Sequence, residues 1–209
     1  MNALYRIVNG LLAATIFPVV IFVDLIFFRV STSVFAAGLE EAISVKFIID
    51  VITGKEEFWN EMLIKRSSGN FTWPVALDPI KSRLIAVAVC FVLVVLIGLF
   101  IIVWSCCSNK RIPVLAASVG GLVATIVMIA CFNSAAMLFV DGTINLLSLF
   151  STGWIASILG SFVSIDSLSL GGFHNGLIFI FIGLIVWTGA FYLIEIGDTA
   201  ETAKKSVRK

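Results

Sequence analysis

The chain has 209 residues, of which 60% are hydrophobic and 13% charged. Soluble domains carry about 25% charged residues, so a water-facing globule is excluded. With 14 Lys and Arg against 13 Asp and Glu, there is no basic field to hold nucleic acid.

Four apolar stretches dominate: 7–28, 84–104, 113–140 and 176–194. A bilayer core of about 30 Å takes roughly 20 helical residues, and each stretch meets or approaches that length. The middle two contain no Asp, Glu, Lys or Arg. The pattern predicts an all-α integral membrane protein with four transmembrane helices, folded as a single membrane domain over 1–209.

The first stretch is followed by Val34-Phe35-Ala36, which has the small-residue look of a signal cleavage site. The apolar run is longer than a signal peptide's core of about 7–15 residues and is interrupted by Asp24, so a retained span is expected. Pro18 predicts a kink. A charge in a span costs about 2.5–3.5 kcal/mol, so Asp24 is expected to face a partner cation (Arg29, Lys81 or Arg83) or a water-filled route.

The insert 29–83 is expected to lie outside the membrane as a helical cap. Ile43, Phe47, Ile48 and Val51 recur at helical spacing, which predicts an amphipathic helix over 39–51 ended by Gly54. A second one over 56–64 carries Phe58, Trp59, Met62 and Leu63. Asn70-Phe71-Thr72 is a glycosylation sequon, and Asn70 is the acceptor it names.

Between the second and third spans runs Ser105-Cys106-Cys107-Ser108-Asn109-Lys110-Arg111, room only for a tight turn. Cys106 and Cys107, beside basic residues at a span end, fit a lipidation site. The third span carries Asn133, whose amide would seek a hydrogen bond between helices, and Gly120, Gly121 and Ala124 as a smooth packing strip. No cysteine stands between Arg29 and Arg83, so a disulfide-stapled outer domain is excluded.

The region 141–175 has no Lys or Arg. Its apolar part, 143–163, is broken by Ser148, Ser151, Thr152, Gly153 and Ser157, which predicts an interfacial or re-entrant segment before the last span. The tail, with Lys204, Lys205, Arg208 and Lys209, and the turn, with Lys110 and Arg111, place both termini in the cytoplasm by the positive-inside tendency.

Catalytic chemistry is poorly supported. His174 is the only histidine, too few for a multi-His zinc site, and no nucleophile elbow or phosphate-cradling loop is present. No enzyme and no cofactor are expected. The alternation of spans and outer segments resembles that of claudin-like tetraspan proteins. That family's first outer segment carries Trp…Gly-Leu-Trp…Cys…Cys; here Trp59 and Trp73 stand without Gly-Leu-Trp and without cysteine. The likeness is architectural, and no site residue follows from it.

The expected role is therefore assembly or interaction within the bilayer of the plasma membrane, with membrane lipids and other copies or other membrane proteins as partners. The alternative is a small channel or transporter with a polar route near Asp24 and the stretch from Ser151 to Ser157. Single-cysteine labelling should mark position 70 from outside, and positions 109 and 206 only after permeabilisation. External labelling at 206 would mean five spans.

Overall fold

The computed structural model describes residues 2–32, 39–55, 75–141 and 163–207. Among the described residues, four helices are long and apolar enough to cross a membrane: Ala3–Phe22, Asp78–Cys107, Ile112–Val140 and Phe173–Gly197, of 20, 30, 29 and 25 residues. The expected second helix over 56–64, the stretch 143–162, and Asn70 lie outside the described residues.

The first crossing is two helices, α1 (Asn2–Ala14) and α2 (Ile16–Phe22), with Thr15 at the break. Pro18 explains its position. Proline has no N–H to give the carbonyl four residues back, and its ring crowds that carbonyl, which belongs to Ala14. Thr15 stabilises the break by donating its hydroxyl to the Leu12 carbonyl at 2.6 Å.

The first span is shorter than its apolar run. Helix ends at Phe22, and Asp24–Thr32 forms a strand, β1. A second strand, β2 (Leu39–Ser44), and a third, β3 (Val163–Leu170), pair with it antiparallel on either side, in the order β2-β1-β3. The all-α expectation is thus corrected: the fold is mostly helical with one small sheet. Ile26-Phe27-Phe28 continues the hydrophobicity of the span, and a short apolar run has no period that separates helix from strand. Its β-branched and aromatic residues suit a strand once partners are available.

The sheet has two different faces. Along β1, Ile26 and Phe28 are half-buried while Phe27 and Arg29 are exposed. Ile26 stands opposite Ile43 and Leu170, and Phe28 opposite Leu168, whereas Phe27 stands opposite Ala42 and Ser169. In β3 the apolar positions are 163 and 165, then 168 and 170, a change of phase at Asp166. The pairing absorbs it: Arg29 faces Ser167 and Val30 faces Ile165, so Asp166 is passed over in a bulge. One extra residue keeps Val163, Ile165, Leu168 and Leu170 opposite alternate residues of β1.

The amphipathic helix of the insert is confirmed in its second half and corrected in its first. Leu39–Ser44 is strand, and the helix α3 is Val45–Ile52. Ser44 accepts from the Phe47 N–H at 3.1 Å, an N-cap that fixes the switch from strand to helix. Gly54, at φ 78°, ends it as expected. The Lys55 N–H reaches the Asp50 carbonyl and the Gly54 N–H the Val51 carbonyl, which is the Schellman arrangement.

A 3₁₀ turn, Val75–Ile80, leads into α4 (Lys81–Cys107), and α5 (Ile112–Val140) follows after a four-residue turn, residues 108–111. The last helix, α6, is Phe173–Val207. The chain packs as two units. One comprises Met1–Pro18, Cys90–Ile126 and Asn175–Lys209; the other Val19–Val89 and Val127–His174. In the first, Ile16, Ile101, Val114, Leu177, Phe181 and Leu184 are buried. In the second, Ile80 and Ala135 pack with Leu84, Leu138 and Phe139.

Gly171 holds the end of β3 close against the start of β1. Its N–H donates to the Leu25 carbonyl at 2.8 Å, and a Cβ there would overlap the Asp24 carbonyl. At the next residue, Gly172, a Cβ would meet only a Val23 methyl at 3.5 Å, an ordinary contact. Gly171→Ala should therefore destabilise by about 1–3 kcal/mol, as overpacking does. Gly172→Ala should be close to neutral. Thermal unfolding in detergent checks both, and equal melting of the two variants would contradict the close approach.

Candidate functional site

Polar side chains buried in apolar helices carry the most information here, because each must find a partner or bear a desolvation cost. Asn9 and Thr188 are fully buried, and Tyr5 is 1% exposed. Tyr5 and Asn9 lie one turn apart on α1 and so share a face. Thr188, Phe191 and Glu195 recur on one face of α6. The Thr188 hydroxyl donates to Asn9 Oδ1 at 3.4 Å, a long bond. Tyr5 Oη, Asn9 Nδ2 and Trp187 Nε1 are buried with no hydrogen-bond partner among the described residues.

Arg111 joins this group. Its guanidinium donates to the Phe191 carbonyl, pairs with the Glu195 carboxylate at 3.1 Å, and lies 5.2 Å and 5.6 Å from the ring centres of Tyr5 and Phe191. The Arg111 side chain is only 9% exposed while that of Glu195 is 58% exposed. Tyr5, Phe191 and Trp187 follow one another as tilted ring pairs, with centroids 5.5 and 4.8 Å apart. The cation is thus held by ring faces and a carbonyl as much as by its counter-ion.

A second arginine does related work on the same unit. Arg6 donates to the carbonyls of Ser105, at 2.6 Å, and of Cys106. Both belong to the last turn of α4, where carbonyls have no partner within the helix and the dipole favours a cation. Trp104 Nε1 donates to the Lys110 carbonyl at 3.1 Å and so fastens the turn back onto α4. These contacts are structural: donors meet helix-end carbonyls, and no nucleophile is aligned with a base.

The residues singled out in the sequence are placed as follows. Asp24 is outside the helix, exposed, at the head of β1. Arg83, one of its expected partners, instead donates to the Ser134 carbonyl at 3.0 Å. Asn133 is exposed, with Phe132, Ala135 and Ala136 buried around it. Gly121 and Ala124 are buried, and a Cβ on Gly121 would overlap the Phe181 ring. Gly120 is half-buried, and a Cβ there would make only an ordinary contact with Ile97 at 3.9 Å. The strip therefore packs, at Gly121, against α6 of the same chain.

His174 Nδ1 stands 2.5 Å from the Gly171 carbonyl, which makes it the donor in a local bond at the start of α6. Among the described residues no group of three or more His, Cys, Asp or Glu could hold a metal ion. Cys106 and Cys107 are free and exposed, whereas Cys90 and Cys131 are half-buried. Sequence reasoning missed the Tyr5–Asn9–Thr188–Arg111 group. Asn9 within an apolar run, and Arg111 at a span end beside Glu195 at another, were the available signals. No family model, curated protein or solved structure matches this chain.

Glu195→Gln should cost less than about 1 kcal/mol, since the carboxylate is largely exposed. Arg111→Ala should cost about 2 kcal/mol or more, because a charged hydrogen bond and two ring contacts go with it. Melting of both variants and of the double variant gives the coupling. An equal loss for the two single changes would mean that the ion pair, not the ring and carbonyl contacts, holds Arg111.

Proposed function

We propose that this chain is a non-enzymatic multi-pass membrane protein that acts through assembly in the bilayer, as a homo-oligomer or as a subunit of a complex. Its termini are read as cytoplasmic, in the plasma membrane, with the sheet outside. The observation that carries the reading is the exposed face of that sheet. Phe27, on the central strand, is 36% exposed and stands between Ala42 and Ser169, both also exposed. An aromatic on a rigid platform of small neighbours is the kind of anchor that protein interfaces use.

Arginine contacts support the same reading, since Arg6 donates to carbonyls at the end of α4, and Arg83 and Arg111 to carbonyls within α5 and α6. Ser118 and Thr125, buried in α5, donate to the carbonyls of Val114 and Gly121 one turn back. A channel or transporter ranks second, because Asp24, on which its polar route leaned, stands on a strand beyond Phe22.

Cross-linking in membranes and native mass measurement in mild detergent should give species larger than the protomer, and Phe27→Asp should shift them toward the protomer without loss of folded protein. A strictly protomeric wild type with robust selective flux in liposomes would favour transport and overturn the assembly reading.

A further inference from the structure

We propose that Cys106 and Cys107 are S-acylated by a long-chain fatty acyl group, a modification that rests on the membrane reading above. Along α4, Val92, Leu96, Leu99 and Val103 are exposed at intervals of three and four residues, with Leu96 at 55% and Val103 at 60%. That spacing is one continuous face of a helix, and exposed aliphatic side chains on a membrane span face lipid. The next position in the series is Cys106, and Cys107 lies one turn beyond Val103. Both thiols are exposed and free of disulfide. An acyl chain on either sulfur would run back along Val103 and Leu99 into the hydrocarbon.

Depth is set by Arg6. Its guanidinium donates to the carbonyls of Ser105 and Cys106, so the thiols lie level with a cation, where the apolar helix gives way to headgroups. Exposed Lys110 follows within the turn, a cation available to anionic headgroups. Cys90 and Cys131 lack this setting, being half-buried within α4 and α5 and remote from the helix ends.

The reaction is transfer from a fatty acyl thioester. The cysteine sulfur attacks the acyl carbonyl, a new thioester forms, the donor's carbon–sulfur bond breaks, and the cysteine proton leaves with the donor thiol. An attached chain adds membrane affinity with every methylene it buries. For a chain already anchored by four spans, the consequence is a change in how the α4 face meets lipid.

Membranes from a eukaryotic host expressing the full chain are treated with N-ethylmaleimide, then with neutral hydroxylamine or buffer, and the released thiols are coupled to a polyethylene-glycol maleimide. One or two adducts that need hydroxylamine are expected for the wild type and for C90S/C131S, and none for C106S/C107S. No hydroxylamine-dependent adduct in the wild type, or adducts that persist in C106S/C107S, would overturn the proposal. Carbonate washing separates the two claims: C106S/C107S should stay in the pellet with the wild type. Release of the wild type would overturn the membrane reading itself.

Discussion

Every backbone N–H and C=O that leaves a helix in so apolar a chain needs a partner nearby, because apolar surroundings offer none. The structure meets that demand at several of the described helix ends. The last carbonyls of α4 take hydrogen bonds from Arg6, a side chain on a different helix. The turn after α4 is fastened by Trp104. Past Phe22, the backbone becomes the central strand of a sheet, with a paired strand on each side. The strands come from segments far apart in sequence because a central strand needs partners on both edges, and the segments before α4 and after α5 supply one each.

The arginines near the helix ends act more as hydrogen-bond donors to backbone carbonyls than as members of ion pairs. A guanidinium has five N–H donors and can serve a carbonyl, a carboxylate and a ring face together. Arg111 does all three. Its carboxylate partner is mostly in solvent, where an ion pair contributes little, so the carbonyl and the rings of Tyr5 and Phe191 dominate its anchoring. Lysine would keep the charge and lose the fork. Arg6, Arg83 and Arg111 thus serve chiefly to hold backbone carbonyls in place.

Close packing has the same local character. Gly121 admits the Phe181 ring, and Gly171 admits the Asp24 backbone. Each is a place where a single methyl would separate two elements. Gly121 was legible as a packing residue from its neighbours Gly120 and Ala124, but its partner was not: a strip of small residues looks alike whether it meets a helix of the same chain or of another. Gly171 gave no such hint, since its requirement comes from a strand well over a hundred residues earlier.

Sequence by itself determined the four long apolar helices, the tight turn after Cys107, the break before Pro18 and the stop at Gly54. All of these follow from local composition, from the missing N–H of proline or from the freedom of glycine at positive φ. Only tertiary structure decided that residues 24–32 leave the helix. Leu25 to Phe28 are as apolar as the span before them, and a strand is stable only when distant strands complete its hydrogen bonds. The bulge at Asp166 hid the strand period of β3 for the same reason, its function being visible only against β1. Asn133 and Asn9 show the limit most plainly. Both are amides in apolar helices, yet one is exposed and the other fully buried beside Thr188, because burial depends on which face of a helix its neighbours cover.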